Sequence, residues 1–461
     1  MSESIVAYPE GLSERSRRLP DRGVLSAGVR GVCRAAVIGA PVLAAAGWHH
    51  LNADALFAAA IATAVWFAAL RPTYSGPGPS ALVLGTGLVT ALGTLTGLAA
   101  VSVLNFWVRG FELSGQQLLV MAAGVFLASW AFETKVERIA SRRRLLIVGG
   151  DDGTTELLAE LERQPQLPFD VIGVVDDHNG DGAAGARRLG ATRELSAILR
   201  DESPDLVVLG RDAYRADALS DVLDLASLDV RVVDVHHFNE HAFGKVPVHH
   251  LSPVWFMGVL HLYQRPYSRI AKRTFDIFAA GTALLLAAPL LLVVAVVVRA
   301  SSSGPVFFRQ LRLGEGGRLF RICKFRTMVE HAEEDGVAVW AREDDARVTA
   351  IGRILRRTRL DELPQLWNVL RGDMSVVGPR PERPEFLELL RDTVPFWTRR
   401  HLVKPGITGW AQVRRGYTAD VMGTAEKLSY DLYYLKYRSL MFDLAIATQT
   451  FRIVLSGFGS R

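Results

Sequence analysis

Two adjacent carboxylates, Asp361 and Glu362, are the residues of this chain best suited to chemistry on a phosphate. They follow a short segment that carries Arg353, Arg356 and Arg357. One carboxylate can bind Mg²⁺ together with substrate phosphates, and the other can attack phosphorus. The arginines would then stabilise the charge on the transferred group. An acid pair that caps a helix and makes surface salt bridges explains the same pattern equally well, so these residues alone leave both interpretations open.

Two short helices are predicted on either side of the acid pair. Ile351, Ile354 and Leu355 recur at helical spacing and predict an amphipathic helix whose other side carries the arginines. A second helix is predicted over Pro364–Leu370, because proline suits the first turn of a helix, where its missing N–H removes no hydrogen bond. The acid pair is therefore expected between the helices, just before the N-terminus of the second.

Apolar residues are unevenly distributed along this chain of 461 residues, which is long enough for two or three domains. A transmembrane helix needs about 20 mostly apolar residues. After a polar tail, residues 1–28, which is expected to be flexible and cytoplasmic, four such runs are predicted to form a transmembrane bundle over residues 29–134. The runs are Gly31–Trp48, Asp54–Leu70, Ser80–Leu104 and Gly115–Phe132. Basic residues cluster before the first run and after the fourth, so both ends of the bundle are expected to face the cytoplasm.

Strand and helix patterns alternate in residues 142–238 and predict a parallel, Rossmann-like α/β domain. The first predicted strand ends in Gly149-Gly150, a turn that could cradle a phosphate. However, Val148 replaces the first glycine of the dinucleotide motif, and Asp151 would repel a pyrophosphate. A structural or regulatory module is therefore favoured over a dinucleotide site. The predicted strands are Leu145–Val148, Val171–Val175, Leu206–Leu209 and Val230–Val235, and the predicted helices are Thr154–Arg163, Leu195–Asp201 and Arg215–Ser227.

A linker rich in histidine, proline and aromatic residues is predicted over residues 239–265. The histidines in and beside it match no metal-ligand spacing and lack carboxylate partners, so surface or packing roles are expected for them. Cys33 and Cys323 are too few for a disulfide framework or a zinc site. The net charge of +5 is mildly positive, and no nucleic-acid partner is expected.

A fifth apolar run, Ile277–Val298, has the length of a transmembrane helix. Its flanks are both basic, which opposes crossing of the membrane, and Pro289 in its middle can kink a helix. A re-entrant helix over about residues 272–298, which enters and leaves on the cytoplasmic side, reconciles these facts. Lys272, Arg273 and Arg299 are expected among lipid phosphates, and Lys272, Arg273, Asp276 and Pro289 are expected to anchor the segment at the membrane.

A series of ordered motifs runs from about Arg265 to the C-terminus. They are KRTFD, PVFFRQLRLG, FRICKFRTM, RTRLDELPQLWNVLRGDMSVVGPRPE, KPGITGWAQV and KLSYDLYYLKYRS. The motifs together are highly specific although no single one is, and through them this part of the chain closely resembles the bacterial sugar transferase family, the monotopic polyprenyl-phosphate phosphoglycosyl transferases. With its four apolar runs and Rossmann-like region, the chain further resembles the long form of the family.

The resemblance implies roles for individual residues. Asp361 is the expected nucleophile, and Glu362 is expected to help to hold Mg²⁺. Three regions carry basic positions that bind phosphate in the family: the motif KFRTM, the segment before the acid pair, and the motif GPRP. The motif YDLYY carries a further acidic position of the family. The expected substrate- and phosphate-binding residues are Lys324, Arg326, Arg356, Arg380 and Asp431.

The implied protein is a membrane protein with an N-terminal four-helix transmembrane bundle, a Rossmann-like α/β domain, and a C-terminal α/β catalytic domain, residues 266–461, that contains the re-entrant helix. The implied reaction transfers a hexose-1-phosphate from a UDP-sugar to undecaprenyl phosphate. Glucose or galactose is favoured, and an N-acetylated sugar stays open. This transfer would be the first membrane step of exopolysaccharide, capsule or O-antigen synthesis. It is expected at the cytoplasmic face of a bacterial inner membrane, in a multi-pass protein that contacts the lipid bilayer and forms a homodimer.

Two other functions share parts of this pattern. A non-catalytic scaffold or sensor of polysaccharide assembly could use the Rossmann-like domain, but it would not need the acid pair with its arginines. Membrane-bound nucleotide-sugar dehydratases also join a four-span bundle to a Rossmann-like domain, but they need a Tyr-x-x-x-Lys pair. None of the tyrosines of this sequence has lysine four residues later.

Overall fold

The computed structural model describes residues 27–45, 53–70, 79–107, 113–139, 142–165, 167–177, 186–214, 230–248, 251, 266–301, 303–329, 345, 347–415 and 421–456. The chain divides into two compact units, Met1–Ala242 and Phe243–Arg461. The predicted tail lies almost wholly outside the described residues. The first helix begins at Ala27, within two residues of the predicted end of the tail.

Apolar helices dominate the start of the first unit. Within the described residues they are α1 (Ala27–Ala45), α2 (Ala53–Ala69), α3 (Pro79–Trp107) and α4 (Gly115–Ile139). Ile38 and Val42 of α1, Trp66 of α2 and Val125 of α4 are fully buried in one shared cluster. A buried ion pair ties α1 to α4, since Arg34 Nε lies 2.8 Å from Glu133 Oε1.

A parallel sheet forms the rest of the first unit. Its strands in the described residues are β1 (Arg143–Val148), β2 (Phe169–Val175), β3 (Arg188–Gly190), β4 (Leu206–Leu209) and β5 (Arg231–Asp234), in the order β3-β2-β1-β4-β5. Helices α5 (Asp152–Arg163) and α6 (Leu195–Glu202) lie between strands in the sequence. The sequence analysis missed β3, which is too short for periodicity to show. The predicted helix Arg215–Ser227 lies outside the described residues.

The turn after β1 is filled by carboxylates of the protein itself. Asp151 accepts a hydrogen bond from the backbone N–H of Thr154 at 2.8 Å and thereby caps α5, and it accepts another from the N–H of Arg211. A Cβ atom at Gly150 would lie 2.2 Å from Asp176 Oδ2. The Asp151 carboxylate therefore already accepts the hydrogen bond that this helix end would donate to a dinucleotide phosphate.

Helix α7 (Val235–Phe243) corrects the predicted linker, because residues 239–243 are helical and Asn239 and Glu240 are buried. The aromatic and apolar residues of VHHFNEHAF recur on one face of the helix. Phe238 packs against Phe169 of β2, with ring centroids 5.0 Å apart. Of the histidines next to the predicted linker, His237 lies 3.2 Å from Asp234. His249, His250 and His261 are outside the described side chains.

The long helix α8 (Pro266–Ser301) is the first helix that lies wholly within the described part of the second unit, and it contains Pro289. One side of α8 packs on the rest of this unit along most of its length. Ala280 lies in a buried cluster with Ile322, Leu366, Val369 and Met374, whereas Val294 and Val298 lie in a second cluster with Phe325 and Leu355. The other side is apolar and exposed, as at Phe278, Leu285, Leu286, Leu292, Val293 and Val296.

Short elements complete the second unit. They are β6 (Phe307–Leu313), β7 (Leu319–Phe325), α9 (Ala350–Thr358), α10 (Gln365–Arg371), β8 (Ser375–Val377), α11 (Leu387–Thr393), β9 (Gly406–Thr408), α12 (Trp410–Arg415), α13 (Val421–Tyr437) and α14 (Leu440–Ser456). β6 and β7 form an antiparallel hairpin, and β8 pairs with β9 in parallel. The predicted helix at 364–370 is thus shifted by one residue, with Pro364 as its N-cap.

By length and composition, three helices in the described residues could cross a membrane. They lie at Val89–Trp107, Gly115–Lys135 and Arg269–Ser301. The apolar helices Gly31–Ala45 and Leu56–Ala69 are shorter.

Candidate active site

The hairpin β6–β7 carries Lys324 next to its last residue, and a buried asparagine holds the hairpin in place. Asn368 of α10 accepts a hydrogen bond from the N–H of Cys323 at 3.0 Å and donates one to the carbonyl of Arg321 at 2.8 Å. Its side chain thereby bonds to the backbone of β7 on both sides of Ile322. This contact fixes the distance between Lys324 and the start of α10.

Helix α9 is placed by a close backbone approach. Thr349 caps it by accepting a hydrogen bond from the N–H of Gly352 at 2.9 Å. Gly352 lies against the backbone of Thr327, because a Cβ atom there would be 2.0 Å from the Thr327 carbonyl oxygen. Leu355 is buried against Phe325 and α8. The arginine face of the helix is therefore turned away from the core, and the charge of Arg356 on it acts on Asp361.

The chain turns sharply between α9 and α10. Arg359 adopts a left-handed conformation with φ 59°, and Leu360–Glu362 form a single 3₁₀ turn before Pro364. A residue other than glycine in this conformation is strained, and such strain is concentrated at functional sites. The turn places Asp361 and Glu362 in succession at the buried start of α10.

Both members of the acid pair are 8% exposed, but their surroundings differ. Glu362 Oε1 lies 3.1 Å from Lys324 Nζ and 2.9 Å from Arg380 Nη2, and Oε2 lies 3.9 Å from Arg359. Asp361 Oδ1 is buried without a hydrogen-bond partner in the part of the chain that the structure describes. Glu362 is therefore held by cations, whereas Asp361 has an unused oxygen.

Burial and charge drive the protonation of the two acids apart. Burial, followed by the neighbouring charge of Glu362, raises the pKa of Asp361 to about 6, although Lys324 and Arg380 oppose this. Burial acts in the same direction on Glu362, but Arg380 and Lys324 outweigh it and hold the pKa of Glu362 well below its ordinary value. Glu362 is thus a permanent anion, and Asp361 is the carboxylate whose charge responds to what binds beside it.

The predicted basic residues are only partly brought together. Lys324 and Arg380 contact Glu362 directly, as described above. Arg356 contributes a charge that opposes protonation of Asp361, and its Nε donates to Thr327 Oγ1 at 3.0 Å. Arg326 is buried and donates to the carbonyl of Ser303, which closes the loop between α8 and β6. Arg326 thus has at least one contact in the fold, and its predicted binding of phosphate stays a prediction.

Asp431, the remaining predicted binding residue, is buried in α13 and pairs with Arg400 at 2.8 Å. Among the described residues, the ion pairs of Arg400 are with Asp431 and Glu382 and not with Asp361 or Glu362. The sequence analysis missed Arg400, as it missed Asn368. A signal for Arg400 is its place in the run Arg399-Arg400-His401, but a basic run is usually a solvated surface, so this signal is weak.

The residues predicted to anchor α8 at the membrane have protein partners. Lys272 Nζ lies 2.6 Å from Asp443 and 3.3 Å from Asp276, and Asp276 accepts hydrogen bonds from Ser375 Oγ and Val376 N. Arg273 donates to the last carbonyls of α10, at Val369 and Leu370, each at 2.7 Å.

These contacts hold α8 against the rest of the unit, Lys272 through α14 and Arg273 through α10. That Lys272 and Arg273 also lie among lipid phosphates stays a prediction. Arg299, the third residue of that prediction, is exposed at the end of α8. Pro289 lies within α8 without ending it.

The acid pair also suits a divalent cation. Asp361 Oδ1 has no partner among the described residues, and Glu362 Oε2 has only the long contact with Arg359. The described residues contain no cluster of three or more histidine, cysteine or acidic side chains. One or two carboxylates that share the ion with substrate phosphates are the usual protein contribution to a Mg²⁺ site. The residues present therefore fit Mg²⁺ bound together with a substrate.

Comparisons with known proteins agree with this chemistry. The family model described as bacterial sugar transferase matches residues 267–457. A UDP-N-acetylgalactosamine-undecaprenyl-phosphate N-acetylgalactosaminephosphotransferase from Aeromonas hydrophila is 42% identical over 269 residues, which are 56% of this chain and 63% of the relative. The chain thus spans less than two thirds of that relative.

Two longer matches cover more of both proteins. They are UDP-glucose:undecaprenyl-phosphate glucose-1-phosphate transferases. That of Escherichia coli (strain K12) is 35% identical over 77% of this chain and 75% of its own length. That of Xanthomonas campestris pv. campestris is 33% identical over 75% of this chain and 72% of its own length.

Proposed function

Because this chain belongs to the bacterial sugar transferase family, we propose that it moves a hexose-1-phosphate from a UDP-sugar onto undecaprenyl phosphate and releases UMP. The chain is a transferase, as its relatives are named. The observation that carries the proposed mechanism is the contrast within the acid pair. Asp361 has a buried oxygen with no partner in the described residues, next to Glu362, which Lys324 and Arg380 hold as an anion.

The contrast supports a covalent mechanism in two half-reactions. First, a carboxylate oxygen of Asp361 attacks the phosphorus attached to the sugar. An oxygen–phosphorus bond forms, the bond from this phosphorus to the bridging oxygen breaks, and UMP leaves with the electron pair. In the second half-reaction, a phosphate oxygen of undecaprenyl phosphate attacks the same phosphorus. This step releases the Asp361 carboxylate and forms undecaprenyl-diphosphate-sugar.

The cations of the site suit this transfer because negative charge accumulates on the phosphoryl oxygens. Lys324 and Arg380 meet at Glu362 Oε1, so both are already oriented before a substrate binds. Preorganised donors of this kind stabilise a transition state without reorganisation. Arg356 lies on the same side as Asp361 and also favours its ionised form, which is the form that can attack.

Mg²⁺ is part of the proposal. Glu362, with Asp361 beside it, would hold the ion, which when bound supplies positive charge to the diphosphate of the donor. The arrangement of Glu362 between two cations leaves Oε2 as its more available oxygen.

The packing of α8 supports a re-entrant membrane helix. Ala280 and Val298 lie eighteen positions apart, about 27 Å along a helix, yet both pack on the same catalytic unit. If α8 crossed a bilayer, most of this length would lie within lipid and could not contact the catalytic unit. The exposed apolar side of α8 would then face lipid, with both ends at the cytoplasmic surface. In this topology the acid pair would lie where a soluble donor and a lipid phosphate can both reach it.

The remaining features of the proposal follow the family. Helices α1 to α4 would cross a bacterial inner membrane as a bundle, with the Rossmann-like domain and the catalytic domain on the cytoplasmic face. The expected pathway is exopolysaccharide, capsule or O-antigen synthesis. A homodimer stays a prediction. The relatives compared above are named for UDP-glucose and UDP-N-acetylgalactosamine, so these donors should be tested first and UDP-galactose next.

The decisive experiment measures transfer of radiolabelled sugar from each UDP-sugar into the lipid fraction of native membranes. The Asp361→Asn variant should lose transfer, because an amide cannot attack phosphorus, whereas Asp392→Asn, an exposed acid outside the site, should retain it. Full activity of Asp361→Asn would show that Asp361 is not the nucleophile. The absence of transfer from every donor tested would favour a scaffold or sensor, or a dehydratase.

A second measurement addresses the covalent intermediate. Labelled UMP should exchange into the UDP-sugar in the absence of undecaprenyl phosphate, and the steady-state kinetics should be ping-pong and dependent on Mg²⁺. Ternary-complex kinetics without exchange would instead indicate direct transfer between the substrates.

A further inference from the structure

The segment Pro379-Arg380-Pro381 delivers a guanidinium to the acid pair, and all three of its carbonyl oxygens accept hydrogen bonds. The N–H of Gly406 donates to Pro379 at 2.9 Å, Arg400 Nη2 donates to Arg380 at 2.9 Å, and Arg312 Nη1 donates to Pro381 at 3.3 Å. Both prolines have a restricted φ, and residue 380 is restricted because it precedes a proline. The backbone that carries Arg380 is therefore unusually rigid.

Arg400 makes the central one of these three contacts from a buried position. Its side chain is 4% exposed and pairs with Asp431, which is 2% exposed, at 2.8 Å. Its guanidinium also stacks over the Trp397 ring, 4.4 Å from the centroid. Trp397 stacks on the guanidinium, and a single nitrogen, Nη2, both pairs with Asp431 Oδ2 and donates to the carbonyl of Arg380.

A buried arginine–aspartate pair is weak evidence for stability, because removing both charges from water offsets most of their attraction. The contact between Arg400 and the backbone of residue 380 points to a role for Arg400 other than stability. A guanidinium fixed at two anchor points can define the position of a carbonyl more closely than a flexible side chain could. The side chain of that same residue reaches Glu362 at 2.9 Å.

We propose that Arg400 is a positioning residue that, anchored by Asp431 and Trp397, fixes the backbone of Arg380 so that the Arg380 guanidinium meets Glu362 and the transferred phosphate. The inference rests on the proposed function and deepens it. It gives Asp431 a different role from the substrate binding that the sequence suggested, since Asp431 acts on the site through Arg400. Arg380 remains the residue that touches the reacting group.

The test is a double-mutant cycle on kcat/KM. Arg400→Lys keeps the charge but loses the planar guanidinium that stacks on Trp397 and holds Nη2 between Asp431 and the Arg380 carbonyl, so kcat/KM should fall about 100-fold, as expected for a catalytic group misplaced by about 1 Å. Most of the loss should lie in kcat. In an Arg380→Ala background, Arg400→Lys should cost less than about 3-fold, because there is no guanidinium left to position. Arg391→Lys, a change at an exposed arginine of α11, should leave kcat/KM unchanged.

Losses that multiply in the double variant would overturn the inference, because Arg400 would then act independently of Arg380. An Arg400→Lys enzyme with normal kcat/KM would do so as well. If Arg400→Lys does not fold, as thermal unfolding would show, the near-isosteric Asp431→Asn takes its place in the same cycle with an expected loss of about 10-fold. A wrong proposed function gives a different result from a wrong role for Arg400, because the wild-type protein would then show no transfer at all.

Discussion

Gly352 is the position where a single methyl group should disturb the site most directly. It lies in α9, and a Cβ atom there would meet the Thr327 carbonyl oxygen at 2.0 Å, with the Thr327 carbonyl carbon at 2.7 Å. Both are backbone atoms, so no side-chain rotation can relieve the clash. The Gly352→Ala variant must therefore move α9 away from the strand end that carries Thr327.

The size of the movement follows from the contact. An ordinary carbon–oxygen contact is about 3.3 Å or longer, so α9 must retreat by roughly 1.3 Å. The retreat breaks the Arg356–Thr327 hydrogen bond of 3.0 Å and drags the turn that leads into Asp361. A misplacement of about 1 Å can cost roughly 100-fold in rate, so kcat/KM should fall by about that factor. Overpacking should cost about 1–3 kcal/mol of stability, partly offset by the better helix propensity of alanine.

The assay is sugar-phosphate transfer into lipid, with thermal unfolding in detergent as the measure of stability. Gly281→Ala is the matched control, because a Cβ atom at this glycine inside α8 would have no atom within 4 Å. The control should keep its activity. If Gly352→Ala retains activity within about 3-fold of the wild type, the close approach of α9 to Thr327 does not set the geometry of the acid pair.

The remaining predictions concern topology, pH and stability. Cysteine labelling tests the topology in a chain without its native cysteines. Ser303→Cys, just beyond α8, should resist an impermeant thiol reagent applied outside intact cells, whereas Asn52→Cys, between the first two predicted spans and so expected outside, should react. Labelling of both positions would mean a true fifth span. Burial, followed by the charge of Arg400, lowers the pKa of His401 to about 4. Below about pH 6.5 the histidine of the unfolded state therefore gains a proton, whereas that of the folded state gains it only near pH 4. The free energy of unfolding should therefore fall by roughly 2 kcal/mol between about pH 7.5 and pH 5, and most of that fall should disappear in His401→Asn; an equal fall in both proteins would contradict the assignment. Lys272→Met leaves the buried Asp443 and Asp276 without their cation, so it should lower the free energy of unfolding by about 3 kcal/mol, and an unchanged unfolding temperature would contradict this.

Much of the local structure could be predicted from the sequence because its signals are local. The apolar spacing of Ile351, Ile354 and Leu355 predicted α9, and Pro364 marked the start of α10 to within one residue. Four strand patterns predicted most of the parallel sheet. The three-residue strand β3 was missed because periodicity needs a longer segment, and the start of the linker was misplaced because a histidine- and aromatic-rich helix such as α7 lacks the usual helical composition.

The sequence by itself also determined the family and the identity of the two acids, because ordered motifs and adjacent residues need no long-range information. Which partners the charged residues take was decided only by the tertiary structure. Asp276 bonds to Ser375 nearly a hundred residues away, Asp431 holds Arg400, and Arg326 donates to the carbonyl of Ser303. A side chain several bonds long can turn to a lipid phosphate, a substrate or a buried carboxylate, and the choice depends on what folding has brought within about 3 Å of it.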